Sequence, residues 1–330
     1  MNENYPLVSI MIPVYNRADL AIKAINCSLA QEYKNIEIIV GDNCSTDGTF
    51  EKLIGIFGDN KKIKLFKNEK NLGAVGNWER CLKNAKGKYV KFLWSDDLMT
   101  TDFVSKSVEF LESDDDASFA FSSVYIFKNE DDLHKNNIKN IRHCYRLKCN
   151  SGIYPGDDFI QATYYCPSLV PVSPGCAIFR RKKLKLVLDI PNQIGYLHRR
   201  NGAGPDVLMF LEAIAKGEKF AYIDKPCNFF RKHSGSISTF DTTIQDGYLT
   251  AKMYYLKEHN FEEYWEWLNC EIISSINKTR VLSKKNNTKA LSKYLDMKDP
   301  HINRHSVFAV CWFKLRNKLM CKIQLRKVRK

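Results

Sequence analysis

The chain has no run of eighteen apolar residues, no C-x-x-C pair and no G-x-G-x-x-G after its first apolar segment. Each absence closes a class. Without a long apolar run no membrane-spanning helix is expected, and the opening Met1-Asn2-Glu3-Asn4-Tyr5-Pro6 lacks the basic-then-apolar order of an export signal. The eleven cysteines are odd in number and scattered, which argues against a disulfide framework and a zinc site and predicts a reducing, cytosolic setting. The missing Gly-rich turn disfavours an NAD-dependent enzyme, because that turn lets a pyrophosphate approach the backbone. Internal repeats and low-complexity tracts are absent too, so a solenoid is excluded.

What is present is apolar mass. With 44% hydrophobic and 12% aromatic residues, 330 residues can bury a large core and should fold as one big domain or one and a half. The net charge of +14 suits nucleic acid, an anionic membrane surface or phosphorylated substrates, and its distribution discriminates among them. From Pro300 to Lys330 there are nine Lys or Arg and no Asp or Glu. There Phe308, Cys311, Trp312, Leu315, Leu319, Met320 and Ile323 recur three or four apart, as in a helix lying in an anionic membrane interface or packed on the domain. No nucleic-acid partner is expected, since basic residues interleaved with stacking aromatics do not occur outside this tail.

Over the first hundred residues short apolar runs alternate with helix-like segments, the pattern of βαβ units around a parallel sheet. Strands are expected at Val8 to Val14, Glu37 to Asp42, Ile63 to Lys67 and Tyr89 to Trp94. Helices are expected at Ala18 to Gln31, after Thr49, and at Ala74 to Asn84. A helix over Asp102 to Glu112, a strand over Ser118 to Phe127, a charged loop near Asn129 to Asn140 and a strand at Cys176 to Phe179 follow. Strands of mixed direction here would extend the first sheet. From Ile244 onward the pattern is helical.

Ligands of open parallel sheets bind beyond the carboxyl ends of the strands, so Pro13-Val14-Tyr15-Asn16-Arg17, Asp42 and Ser95-Asp96-Asp97 are expected on one rim. Paired carboxylates leaving a rigid strand suit a hard cation such as Mg²⁺ or Mn²⁺, which completes its shell with diphosphate oxygens. The plainer alternative is an Asp pair capping the helix that follows. Asp42 could bond a base or ribose edge or act as a turn residue. Asn71, Gly73 and Asn77 equally suit a ligand or a helix start.

In order and spacing the segments Val8 to Arg17, Glu37 to Thr49, Asn71-Leu72-Gly73 and Gly87 to Asp97 resemble the family 2 glycosyltransferases. The resemblance implies an α/β, GT-A fold: a Rossmann-like α/β/α sandwich with a mostly parallel central sheet, over residues 1–240, with a helical region over 241–330. Residues 1–100 would form the nucleotide-sugar half and 101–240 the acceptor half. By the same resemblance Pro13, Val14, Tyr15, Arg17 and Asp42 would hold the base. Asn71, Gly73, Asn77, Ser95 and Asp96 would complete the nucleotide-sugar site, and Asp97 would bind a divalent metal, Mn²⁺ or Mg²⁺. Many relatives carry Asp-x-Asp-Asp, and Trp94 stands here in the first slot, which leaves open a nucleotide-sugar binder impaired in catalysis.

Inversion at an anomeric carbon needs a base opposite the leaving diphosphate. Pro205 at a helix start sets Asp206 in the first turn, where the helix dipole favours a carboxylate, and the match to the family's acid-bearing helix makes Asp206 that base. Within Phe230 to Ser238, similar to a segment that closes over the diphosphate in relatives, His233 would be a metal ligand or phosphate donor. The implied partners are a UDP-, dTDP- or GDP-sugar, a lipid-linked oligosaccharide of the O-antigen or capsule type and an anionic membrane surface. The implied location is cytoplasmic, peripheral on the inner face of the cell membrane.

Overall fold

The structure, a computed structural model, describes residues 5–134, 141–191, 196–215, 217–236 and 244–272. The tail from Pro300 to Lys330, with its amphipathic pattern, lies outside the described residues. Strand β1 (Val8–Val14) is buried at every position but Pro13, as a central strand covered on both faces must be. It is followed by α1 (Ala18–Leu29), β2 (Ile36–Asp42), α2 (Thr49–Phe57), β3 (Ile63–Lys67), α3 (Gly73–Asn84) and β4 (Tyr89–Phe92). These seven elements are the βαβ units the sequence predicts. Strand β4 stops two residues short of Trp94.

The second half is more broken. It comprises β5 (Leu98–Met99), α4 (Phe103–Ser113), β6 (Ala117–Phe127), α5 (Glu130–His134), β7 (Arg142–Cys144), β8 (Gly152–Pro155), α6 (Gly156–Tyr165) and β9 (Ala177–Arg180). Then come α7 (His198–Asn201), α8 (Pro205–Ile214), β10 (Lys219–Arg231) and α9 (Ile244–His259). Helix α5 occupies part of what reads as a charged loop, because Glu130, Asp131 and Asp132 fall in its first turn, where the helix dipole favours acids.

All ten strands form one sheet in the order β3-β2-β1-β4-β9-β6-β10-β5, with β7 beside β6 and β8 beside β10. The pairs from β3 to β4 are parallel, β9 runs antiparallel between β4 and β6, and β6 is parallel to β10. Register aligns Val14 with Asp42, and Asp42 with Lys67. The carboxyl ends of β1, β2 and β3 are therefore level.

Alternation along each strand separates two cores. Ile10 and Ile12 join Ala21, Ile25, Leu53, Phe57, Phe103 and Val104 on the face covered by α1, α2 and α4. Met11 and Ile39 join Trp78, Phe159, Phe210 and Leu249 on the face covered by α3, α6, α8 and α9. On that second face the ring of Phe119 meets those of Phe159, Phe210 and Phe220 at centroid distances of 5.2, 5.0 and 5.9 Å. Burying one such ring contributes about 1.5–3 kcal/mol.

Helix α9 packs on this core, and residues 265–272 are helical, as expected for the region after Ile244. No helix among the described residues is long and apolar enough to cross a membrane. Eight described cysteines carry free thiols.

Candidate active site

Asp42 ends β2 fully buried, and its Oδ1 accepts the Ser45 backbone N–H at 2.8 Å. Its Oδ2 is buried without a hydrogen-bond partner among the described residues. A buried carboxylate oxygen left unpaired is costly, and a ligand donor is what would satisfy it. The loop after β1 is stitched to the loop after β2. Asn16 N–H donates to Ser45 Oγ at 2.9 Å, Thr46 N–H to Asn16 Oδ1 at 2.9 Å, and Arg17 N–H to Thr49 Oγ1 at 3.1 Å. Tyr15, 43% exposed, sits on this rim, whereas the Val14 side chain lies in the core and only its backbone is available.

The asparagines divide by environment. Asn77 is buried in α3, donating to Gly41 O at 2.8 Å and accepting from Asn68 at 3.0 Å. Asn43 accepts from the Leu72 N–H at 2.9 Å and donates to Asn71 Oδ1 at 2.9 Å. This amide network ties the ends of β2 and β3 to the start of α3, so Asn77 and Asn71 support the loop. Gly73, at φ +72°, is required by space as well, since a Cβ there would stand 2.6 Å from Arg199 O of α7.

After β4 the chain turns through Trp94-Ser95-Asp96-Asp97. Asp96 Oδ2 lies 3.2 Å from Arg17 Nη1 and 2.9 Å from His233 Nε2. Asp97 Oδ1 accepts the Arg231 backbone N–H at 2.9 Å, and Arg231 Nε donates to Asp96 O at 3.0 Å. The Arg231 guanidinium also pairs with Glu130 and lies 4.6 Å from the Phe127 ring centroid. These contacts exist because β5 runs antiparallel to β10, setting Leu98 against Phe229 and so Asp97 beside Arg231. Arg231 has no role in the sequence reading, and its only signal is its place two residues before His233.

Asp97 and Ser95 are both buried, at 4% exposure. Burial, and then the neighbouring Asp96 charge, push the Asp97 carboxyl well above its usual range, against the Arg231 N–H and the Lys91 ammonium. Two adjacent carboxylates leaving a rigid strand end, one of them buried, fit a divalent cation. Among the described residues no group of three or more His, Cys, Asp or Glu could hold a metal by itself, and His233 bonds Asp96 rather than Asp97. A cation here would share its shell with diphosphate oxygens, the usual mode for Mg²⁺.

Trp94 has a structural explanation. Its Nε1 donates to Ser173 Oγ at 2.8 Å, and its ring packs against Trp78 at 4.9 Å. Lys91 is wholly buried below, donating to Phe92 O at 2.7 Å and to Gly175 O, and burial brings its ammonium down to about 8.

Trp78 also meets the loop that leads to Asp206. A Cβ on Gly202 would stand 2.0 Å from its ring, so the loop before α8 lies directly on α3. Asp206 Oδ1 accepts the N–H groups of Gly204 at 2.9 Å and Val207 at 2.8 Å, and Oδ2 accepts Tyr248 O–H at 3.1 Å. Burial pushes Asp206 up to about 7, against these three hydrogen bonds. The helix start favours the carboxylate as the sequence suggests, and desolvation acts against it. Glu212 of α8 instead pairs with Lys185 and His259, a structural role.

The level strand ends, mixed second half and helix-covered faces define a GT-A fold, shared with Staphylococcus aureus TarS 1-349 in complex with UDP-GlcNAc. That likeness has a TM-score of 0.63 at 19% identity, over 84% of this chain and 76% of that one. The model for "Glycosyl transferase family 2" matches residues 9–188, and the chain belongs to that family. An "uncharacterized glycosyltransferase" of Rickettsia conorii is 30% identical over 280 residues, which is 84% of this chain and 42% of that protein. The Escherichia coli UDP-Glc:alpha-D-GlcNAc-diphosphoundecaprenol beta-1,3-glucosyltransferase WfaP is 40% identical over 123 residues, 37% of this chain and 48% of WfaP. The chain thus spans less than half the length of each of these relatives.

Proposed function

We propose that this chain is an inverting glycosyltransferase moving a sugar from a nucleoside-diphosphate donor onto an acceptor hydroxyl. The observation that carries the reading is the meeting of Arg17, Asp96, Asp97, Arg231 and His233, from three distant segments, at the carboxyl end of the sheet. Asp42, with its unpaired buried oxygen, takes a donor N–H from the base, and Tyr15 offers the base a ring face. A divalent Mn²⁺ or Mg²⁺ on Asp97, assisted by Asp96, would neutralise charge on the leaving diphosphate. Arg17 and His233 orient Asp96 and lie where a diphosphate would be received. Asp206 accepts the acceptor's hydroxyl proton as that oxygen bonds the anomeric carbon and the bond to the nucleoside diphosphate breaks. A value near 7 leaves Asp206 ready both to take and to release that proton.

WfaP is named for a diphosphoundecaprenol-linked acceptor, and a 37% identical Bacillus subtilis relative, over 106 residues, for teichuronic acid biosynthesis. These names support a lipid-linked glycan acceptor in surface polysaccharide assembly, met at the inner face of the membrane. In this reading residues 1–240 are the transferase domain and 241–330 its helical extension. Thermal melts with UDP-, GDP-, dTDP- and CDP-sugars, with and without Mn²⁺, test the donor claim, because a ligand of the native state raises the melting point. One donor class should stabilise the chain, more so with metal. No stabilisation by any of them at millimolar concentration contradicts the reading.

A further inference from the structure

Helix α9 lies outside the segment that the family model matches, yet it is built into the neighbourhood of Asp206. Two glycines permit this closeness. A Cβ on Gly204 would stand 2.9 Å from Gly247 O, and one on Gly247 would stand 2.7 Å from Ala203 O and 2.5 Å from the Tyr196 ring, so loop and helix touch backbone to backbone. Beside that contact Thr250 Oγ1 lies 3.1 Å from His198 Nε2, whose ring Nδ1 lies 2.9 Å from Ala203 O. The helix and the loop carrying Asp206 are thereby fixed to one another at Gly247, Tyr248 and Thr250.

We propose that Tyr248 is a positioning residue for the base: its hydroxyl, donating to Asp206 Oδ2, sets that carboxylate's orientation and holds it in the ionised form that accepts the acceptor's proton. This rests on Asp206 being the base. Oδ1 is already tied to two backbone N–H groups of its own helix turn, so Tyr248 is the contact that fixes the second oxygen. The groups facing Asp206 are those two amides, Tyr248 from α9 and Tyr145 from the segment after β7, while Tyr196 faces Tyr248. Among the described residues the chief influences opposing desolvation of Asp206 are hydrogen bonds. Tyr248 gives the one side-chain hydrogen bond among them, so removing it must show. Sequence periodicity would class Tyr248 as a core aromatic of an amphipathic helix, and nothing in local pattern marks its hydroxyl.

The test is Tyr248→Phe, which keeps the ring and deletes the donor, with a melt and circular dichroism to confirm folding. Two quantities are compared with wild type: the Asp206 carboxyl titration, read by ¹³C NMR with Asp206→Asn to assign the signal, and the pH dependence of kcat. Losing a hydrogen bond to a charged group should raise the carboxyl midpoint by roughly one pH unit. The acid limb of kcat should rise in step, with KM for the donor unchanged and the rate recovered at high pH. A folded variant whose carboxyl midpoint does not move, or a rate loss equal at every pH, overturns the proposal. A midpoint that rises while the rate profile stays fixed removes Asp206 as base, and the role of Tyr248 falls with it.

Discussion

His233 Nε2 lies 2.9 Å from Asp96 Oδ2, a contact made across 137 residues of sequence. It joins the end of the long strand β10 to the turn after β4, and with Arg17 on the same oxygen it makes Asp96 the meeting point of three segments. His233→Ala should leave the fold intact, because the imidazole is partly exposed, while weakening donor binding about 10–100-fold, the size of one hydrogen bond to a charged group. Calorimetric titration with the stabilising nucleotide-sugar checks this, and unchanged affinity would count against a role for His233 at the diphosphate.

Arg231 holds the acid turn to β10 with its backbone N–H and its Nε, and its guanidinium pairs with Glu130 of α5. Replacing it by Met leaves Glu130 partly buried with Lys23 as its remaining cation. Loss of a largely buried charge partner costs about 3 kcal/mol, and the melting point should fall by roughly 4–6 °C. A drop under about 2 °C would show the clamp to be dispensable.

Asp97→Asn should abolish the extra stabilisation by Mn²⁺ while sparing the metal-free contribution of the base and ribose. A chelator should likewise stop transfer by the wild-type chain. Full turnover in excess chelator would refute the metal claim.

Gly202 sits at φ +85° against the Trp78 ring. Gly202→Ala adds backbone strain and a collision, costing about 1–3 kcal/mol. Since the same loop leads to Asp206, kcat should fall more than donor affinity. Equal losses in both would mean that the loop does not serve the base selectively.

Burial raises Asp206 from 3.8 to about 7, so the folded chain holds this proton more tightly than the unfolded one. With more protons bound when folded, stability falls as pH rises from about 4 through about 7. Asp206→Asn removes this loss. Relative to wild type it should gain on the order of 2–4 kcal/mol between pH 4 and pH 8, read from denaturant melts at the two pH values. A pH-independent difference would place the carboxyl in an ordinary range.

The first four strands were legible because each is a short apolar run closed by turn formers, and parallel order then puts Asp42 and Asp97 at one edge. The second half was not. Strands β7 and β8 have three and four residues, too few for a period to register, and β10 contains Lys225-Pro226 at a register shift. Arg231 was missed because its partners lie far away in sequence. At Asn77 the sequence allowed ligand and scaffold alike, and its bond from Asn68 was invisible until β3 and α3 are folded.

The central claim is that Asp206 takes the acceptor proton at a site whose donor half is complete without it. Measuring kcat and donor Kd for Asp206→Asn beside wild type tests it most directly. The Kd should be unchanged within about twofold and kcat lower by about 10²–10⁴, the usual contribution of a general base. A variant that transfers sugar at the wild-type rate would contradict the account.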